Sequence, residues 1–383
     1  MPPRVAHVCT IDMSLRYLLL NQLKYLQQQG YDVVGISNPG PDVEFLQAQG
    51  IPHIAVPMTR TFSPTADLKA LQDLERVFRR ERFDIVHTHN PKPGLLGQLA
   101  ARAAGIPHVV NTLHGFYFHD LMPPGRRRFY ILMEQMAASC SDAILSQNPE
   151  DLETAVRERI CQREDIELLG NGIDLARFDS TRLNAEQQRR LRANLGLLGD
   201  GPVVGFVGRL VKEKGILELF DAFKSIRAKH TDARLLIVGP TDKEKADALT
   251  PAILEGRFSL GDAVVYAGLR QDMPDLYGLM DVFVLPSWRE GFPRSPMEAA
   301  AMGKPVVVTD IRGCREVVEP GRTGLITPVR DATALAAAIL EVLSDPSRAV
   351  RFGHAGRVLA GRKFDERLVF EKVAATYRRL GVC

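Results

Sequence analysis

Glu290 and Glu298 bracket the stretch Glu290-Gly291-Phe292-Pro293-Arg294-Ser295-Pro296-Met297-Glu298, two carboxylates with seven residues between them. Carboxylates repel phosphate but accept hydrogen bonds from sugar hydroxyls. The stretch follows an apolar run, Asp281-Val282-Phe283-Val284-Leu285-Pro286, read as a buried strand, and leads into Ala299-Ala300-Ala301-Met302, read as helix. A turn between strand and helix presents backbone N–H groups at the helix start, which suit phosphate. Amides for phosphate and carboxylates for hydroxyls together describe a nucleotide-sugar site. A solvated turn with two surface glutamates is the plain alternative.

A second turn of this kind lies in the same half of the chain. The run Val203-Val204-Gly205-Phe206-Val207-Gly208 reads as a buried strand. Arg209 to Gly215 follow, and then a helical pattern of Ile216, Leu219, Phe220, Phe223 and Ile226. In open parallel sheets, ligands bind beyond the carboxyl ends of the strands. Arg209 at such an end and Lys214 just before the helix are placed to clamp a diphosphate, one as a fork of donors and the other as a point charge. The alternative, ordinary basic residues in a surface turn, weakens because two such turns occur together.

The elements that must position these residues alternate along the whole chain. Strands are expected at Val5–Cys9, Asp32–Ile36, His53–Val56, Asp84–Val86, His108–Asn111 and Ala143–Leu145, and again at Val203–Val207, Arg234–Val238, Ala263–Tyr266, Val282–Leu285 and Pro305–Val308. Helical patterns such as Leu15–Gln28 and Leu68–Arg80 lie between them. This alternation predicts α/β architecture, with two Rossmann-like, doubly wound parallel sheets. The polar stretch from Asp174 to Asp200 is expected to separate them, with a boundary near Asp179. A last helical segment, Glu366 to Arg379, has no strand after it.

These residues resemble a retaining glycosyltransferase of the large GT-B family 4. The resemblance rests on Gly208-Arg209 with Glu213-Lys214-Gly215, on Ser287-Trp288-Arg289-Glu290-Gly291-Phe292-Pro293 through Glu298, on Asn171-Gly172-Ile173-Asp174, on Thr112-Leu113-His114-Gly115 and on Gly321-Arg322-Thr323-Gly324-Leu325. It implies two domains, 1–178 and 179–355, facing across a cleft, with a tail of 356–383 whose helix crosses back to the first. It implies that Arg209 and Lys214 neutralise the donor diphosphate and that Glu298 holds the ribose. Glu290, with the backbone of Gly291, Phe292 and Pro293, would hold the donor sugar, and His114 would meet a sugar hydroxyl. The base would lie against Gly268-Leu269-Arg270. Glu290, His114, Arg209 and Lys214 are thus the candidate catalytic residues. UDP is the commoner nucleotide in such enzymes. The stretches His87-Thr88-His89-Asn90-Pro91-Lys92-Pro93-Gly94 and His114-Gly115-Phe116-Tyr117-Phe118-His119 resemble the branch building capsules, exopolysaccharides and lipid-linked oligosaccharides, so the acceptor is expected to be lipid-linked or an oligosaccharide. The chain departs from the family in the loop after its first strand, Thr10-Ile11-Asp12-Met13-Ser14-Leu15, which has no glycine.

Other polar residues of the first half are ambiguous. His87 and His89, two apart, share a strand face; without a third ligand of supportive spacing, packing or an acceptor-side role outweighs a metal pair. Arg126, Arg127 and Arg128 precede Phe129, Tyr130 and Ile131. This cluster reads as a membrane-surface helix, as a site for a lipid pyrophosphate, or as a solvated charge run. His119 joins the acceptor-side candidates.

At 383 residues the chain has room for two cores. A net charge of +3 is too small to indicate nucleic acid. Cys9, Cys140, Cys161, Cys314 and Cys383 show no CxxC spacing, so neither a disulfide framework nor a zinc site is expected, and Cys383 is expected as a free thiol. No Asp-x-Asp occurs, so metal-independent chemistry without a cofactor is expected. The start of the chain reads as no signal peptide and no run suits a membrane span, so the protein is expected in the cytoplasm or peripherally on the cytoplasmic face. No GxGxxG follows a strand, against a dehydrogenase. A sugar-nucleotide epimerase of the same fold and a non-enzymatic nucleotide-sugar binder remain open.

Overall fold

The computed structural model describes residues 2–89, 91–119, 122–197, 199–242, 245 and 247–382. Cys383 and Asn90 lie outside the described residues. The chain divides into two compact units: residues 1–170 with 367–383, and residues 171–366.

The first unit is built on seven parallel strands: β1 (Arg4–Ile11), β2 (Asp32–Asn38), β3 (His53–Ala55), β4 (Ile85–His89), β5 (His108–Leu113), β6 (Ala143–Ser146) and β7 (Ile166–Leu168), in the order β3-β2-β1-β4-β5-β6-β7. Alternation along the strands sorts their side chains onto two faces. Ala6, Val8, Val86 and Val109 pack under the helices Pro64–Glu81 and Pro91–Ala104. Val5, Cys9, Ile85 and Val110 face the other way, against Leu23 and Leu26 and the C-terminal helix residues Val369, Phe370, Val373, Ala374 and Tyr377. The C-terminal helix, Glu366–Arg379, therefore completes the core of this unit. The segment after β1 winds into a π-helical stretch, Leu15–Leu19, before the regular helix Leu20–Gln28.

The second unit has six parallel strands: β8 (Val203–Val207), β9 (Arg234–Val238), β10 (Val264–Gly268), β11 (Val282–Leu285), β12 (Val306–Thr309) and β13 (Gly324–Thr327), in the order β10-β9-β8-β11-β12-β13. One continuous apolar cluster fills both faces. The expected division at 178/179 falls too late. Ile173 and Phe178 are buried in the second core, and the backbone of Ile173 pairs with Phe364 and Glu366. The polar stretch 174–200 is likewise not a bare linker. It carries a helix, Ala185–Asn194, whose Gln188 amide donates to the Asp275 carbonyl, while Leu183, Leu191 and Leu195 lean on the core. The helix Pro346–Lys363 also belongs to this unit, so the tail joining the first unit starts at 367, not 356. β7 and β13 were not expected as strands. Both are short sheet-edge elements without the apolar run that marks an interior strand.

Candidate active site

In each sheet the strand order reverses once, between β1 and β4 in the first unit and between β8 and β11 in the second. The turns after such a pair diverge and leave a crevice at the carboxyl ends. In the second unit, Arg209 and Lys214 follow β8, while Ser287 to Pro293 follow β11. The two turns are held together by their backbones: Trp288 N–H donates to the Glu213 carbonyl at 2.8 Å. Gly215, at φ +69°, sits so close to the Pro286 carbonyl that a Cβ there would overlap it. Glycine is therefore required on both steric and conformational grounds.

This approach brings Lys214 onto Glu290, Nζ to Oε1 at 2.5 Å, with both side chains largely buried. The Ser287 hydroxyl donates to the same carboxylate oxygen at 2.7 Å. Arg209 pairs with Asp242 at 2.7 Å and lies 3.5 Å from Glu213, which also reaches Arg289 at 3.4 Å. Both expected cations are thus present at the crevice, each with a carboxylate partner. Asp242, Glu213 and Ser287 belong to this network and were missed by sequence reasoning. Glu213 lay inside the quoted motif, but nothing in the chain order signals that Asp242 reaches Arg209.

Glu298 lies on the helix Arg294–Ala301, which opens on Pro293, a residue with no side-chain group to cap its first-turn amides. The Tyr277 hydroxyl donates to Glu298 at 2.8 Å. Burial raises the pKa of Glu298, opposed by the charge of Arg294 and by the Tyr277 bond. The Phe292 carbonyl is taken by the Asn171 amide at 2.8 Å, which ties the Asn-Gly-Ile-Asp segment to the glutamate turn. Arg270 follows β10 and is closed on Asp272 by two contacts of 2.8 and 2.5 Å. Asp272 thus already holds the guanidinium expected beside the base.

In the first unit the reversal gathers histidines. His7 on β1 sits opposite His87 on β4 in the sheet register, and His89 sits opposite Thr112 on β5. All three rings are buried, and one nitrogen of each lies within 4.8 Å of the others. The third histidine that the spacing of His87 and His89 did not supply comes from a neighbouring strand. The three could hold a metal ion by distance; yet His7 Nδ1 lies 2.9 Å from His89 Nε2 and His87 lies 2.7 Å from both Tyr377 and Thr112, distances of hydrogen bonds. His114, just past β5, joins at 3.2 Å from His89 and also bonds Gln147. Desolvation drives the pKa of His7 to about 3 and that of His114 to about 4, and holds His87 and His89 well below the usual value. In the loop after β1, the Asp12 carboxylate accepts from the backbone N–H groups of Met13 and Asp42 at 2.9 and 2.7 Å, a structural role.

The arginine triplet divides. On the helix Pro124–Ala138, Arg126 and Arg128 are exposed, whereas Arg127 turns inward to Glu158 at 2.8 Å and stacks on Phe118. Ile131, expected to face a membrane interface, is buried. Phe129, Leu132 and Met136 are the exposed apolar residues of that helix. His119 is exposed.

Two parallel sheets of seven and six strands, each with one strand-order reversal, make an α/β protein with the GT-B fold. Residues 201–345 match the family described as Glycosyl transferases group 1, and residues 16–172 match the Glycosyl transferase 4-like domain. The capsular polysaccharide biosynthesis glycosyltransferase CapM of Staphylococcus aureus is 29% identical over 381 residues, spanning 98% of this chain and 96% of that protein. The UDP-Gal:alpha-D-GlcNAc-diphosphoundecaprenol alpha-1,3-galactosyltransferase of Escherichia coli is 30% identical over 347 residues, 89% of this chain and 88% of that one. A glycosyltransferase structure from Rickettsia africae matches with a TM-score of 0.82 at 21% identity, covering 99% of this chain and 98% of that one. Anabaena HepE in complex with UDP and glucose also reaches 0.82, at 20% identity over 98% and 100% of the two chains. The chain belongs to the group 1 glycosyl transferases.

The buried histidines fix the sign of the pH response. A histidine held neutral in the fold and free to protonate at its ordinary pKa when unfolded leaves stability intact above about pH 6.5. Stability falls as pH drops below that value, by up to about 1.4 kcal/mol per pH unit for each such ring, until the folded pKa is reached. Glu134, pushed up to about 7 by burial with help from the charge of Asp151, and Glu298 act in the opposite sense. Five depressed histidines, these four and the half-buried His53, outweigh two raised carboxyls, so unfolding near pH 5 is expected to take up protons. Melting temperatures between about pH 7 and pH 5 check this, and a flat or rising profile towards acid would contradict it.

Proposed function

We propose that the protein transfers a sugar from a UDP-sugar to a sugar carried on a polyprenyl diphosphate, with retention of anomeric configuration, during assembly of a cell-surface polysaccharide at the cytoplasmic face of the membrane. The observation that carries the reading is the meeting of Lys214 with the Ser287–Glu290 turn at the β8/β11 reversal, with Arg209 linked to the same turn through Glu213. The E. coli relative, named for a UDP-Gal donor and a diphosphoundecaprenol-linked acceptor, supports the donor and acceptor classes. So does a Campylobacter jejuni relative, a diphospho-undecaprenol N-acetylgalactosaminyltransferase 25% identical over 382 residues.

In this reading the bond between the anomeric carbon and the donor diphosphate oxygen breaks, and the acceptor oxygen bonds to that carbon on the same face. The acceptor hydroxyl proton passes to the departing diphosphate oxygen. Arg209 and Lys214 stabilise the charge that develops there. Glu290 with the backbone of Gly291 to Pro293 holds donor-sugar hydroxyls, Glu298 holds the ribose, the base rests by Arg270, and His114 bonds a sugar hydroxyl. Pairing with Asp242 and Glu290 keeps the two cations in place before the diphosphate arrives.

Arg209→Ala and Lys214→Ala are each expected to lower kcat by about 10²–10³, roughly 3–4 kcal/mol of barrier. Lys214→Ala also loses stability, because it leaves Glu290 buried without its partner. Turnover of UDP-sugars on undecaprenyl-diphosphate-linked acceptors, with the product anomer read by NMR, tests the assignment; wild-type rates in both variants would remove the clamp, and an inverted product would remove retention.

The two cations supply the charge that a metal-carried diphosphate would draw from its ion, and the sequence has no Asp-x-Asp. Turnover is therefore expected to persist in excess EDTA. Complete loss, restored by magnesium or manganese, would refute metal independence.

Membrane attachment is the last part of the proposal. Phe129, Leu132 and Met136 form one exposed helix face, Phe62 packs edge-on against Phe129, and Tyr117 lies against Tyr130. Arg126, beside Tyr130, and Arg128 flank this face and would meet anionic headgroups, each worth about 1 kcal/mol near the surface. Among the described residues no helix is long and apolar enough to cross a membrane. Co-sedimentation with anionic vesicles at low salt is expected for the wild type and lost on joint Arg126→Glu and Leu132→Glu substitution. Equal sedimentation of both would point to a soluble acceptor.

A further inference from the structure

His7, His87, His89 and His114 stand in one line of hydrogen bonds with Tyr377. Thr112 Oγ1 lies 2.7 Å from His87 Nε2, and His87 Nδ1 lies 2.7 Å from the Tyr377 hydroxyl. That hydroxyl is 3.3 Å from His7 Nε2. His7 Nδ1 is 2.9 Å from His89 Nε2, and His89 Nδ1 is 3.2 Å from His114 Nε2. The line crosses from β5 to β4, out to the C-terminal helix, back to β1, to β4 again and on to the turn after β5, all within the first unit.

Burial keeps the rings neutral. A neutral imidazole has one N–H and one bare nitrogen, and a phenol has one proton to donate. Each contact needs one donor and one acceptor, so the choice made at one link passes to the next. In one order Thr112 donates to His87, and all four rings carry their proton on Nδ1. In the reverse order His114 donates to His89, His87 donates to Thr112, and all four carry it on Nε2. Any other order among His7, His89 and His114 sets two N–H groups or two lone pairs against each other in a buried site, where unmade hydrogen bonds are costly. An unlike pair across Tyr377 would either make the phenol accept twice and orphan its own proton, or set two bare nitrogens against its single proton.

We infer that this run fixes the tautomer and ring plane of His114, with His7, His87, His89 and Tyr377 as its positioning residues. The role rests on the reading of His114 as the group that meets a sugar hydroxyl. With Nε2 of His114 committed to His89, the run decides whether its Nδ1 carries the proton; Gln147 also bonds this ring, and its amide, able to donate or accept, follows the order the run sets. A single order gives His114 one polarity, towards Gln147 or towards a sugar hydroxyl that takes its place. The same three rings approach the geometry of a three-histidine metal site. All six of their nitrogens, however, already face a partner along the run, so a metal taking one nitrogen from each ring would have to displace two or three hydrogen bonds at once.

The test is the two-bond ¹⁵N–¹H correlation spectrum of the wild-type protein labelled in histidine, which separates Nδ1–H from Nε2–H rings. The expected result is one tautomer shared by His7, His87, His89 and His114, with a nitrogen–nitrogen coupling between His7 and His89 across their hydrogen bond. Unlike tautomers among these rings overturn the run. So does titration with cobalt(II) alone, if it yields a one-equivalent visible band, because the lone pairs would then converge on a metal. For the positioning role, His89→Phe keeps a ring in place while removing the partner of His114; kcat is expected to fall about tenfold with the KM for UDP-sugar little changed. Unchanged kcat in the folded variant overturns that role. If the variant does not fold, the wild-type spectrum still decides the proton order. A wild type that transfers no sugar would defeat the functional reading, and the spectrum would report on the run all the same.

Discussion

A parallel sheet whose strand order reverses cannot cover the carboxyl ends of its two central strands, because the connections on either side leave towards opposite faces. The side chains proposed to take the diphosphate and to meet the donor sugar sit at one of two such reversals. In the second unit the reversal parts the turns after β8 and β11 and leaves Arg209, Lys214, Ser287 and Glu290 between them. In the first it brings together His7 and His87 within β1 and β4, His89 at the end of β4 and His114 just past β5.

The two crevices meet the cost of burying polar groups differently. The second uses ion pairs: Lys214 with Glu290, and Arg209 with Asp242. Such pairs contribute little net stability, since desolvation offsets most of the attraction. Their effect is to hold the cations in place while keeping the crevice near neutrality. The first unit uses neutral rings, with His7, His87 and His89 paired through both nitrogens, and relies on the C-terminal helix to supply the Tyr377 hydroxyl in the middle of the line. The same helix packs Phe370, Val373 and Ala374 against the sheet. One element therefore both closes a core and completes a polar network, and a change in its packing would be felt at the histidines.

The elements that carry the site were legible in the chain order. Strands β8, β9 and β11 coincide with the apolar runs that announced them, and the last helix coincides with its pattern. Edge strands such as β7 were not legible, because a half-exposed strand of three residues has no distinguishing composition. The division between the units was misplaced because Ile173 and Phe178 look like any apolar residues near a polar stretch, and only the core that accepts them says to which unit they belong. Similarly, three consecutive arginines read as one feature, until helical geometry turned Arg127 towards Glu158 and left Arg126 and Arg128 outside.

By itself, the sequence determined the kinds of groups present and their place at the ends of strands: two cations after one buried run, two glutamates after another, and a histidine after a third. Those follow from local periodicity, which the order of the residues records. Only the tertiary structure decided which groups meet. Asp242 reaches Arg209, Tyr277 reaches Glu298, and His7 reaches His89 through strand order and register. These are contacts between residues far apart in the chain. No local spacing encodes them, because they are fixed by how the strands line up side by side in each sheet.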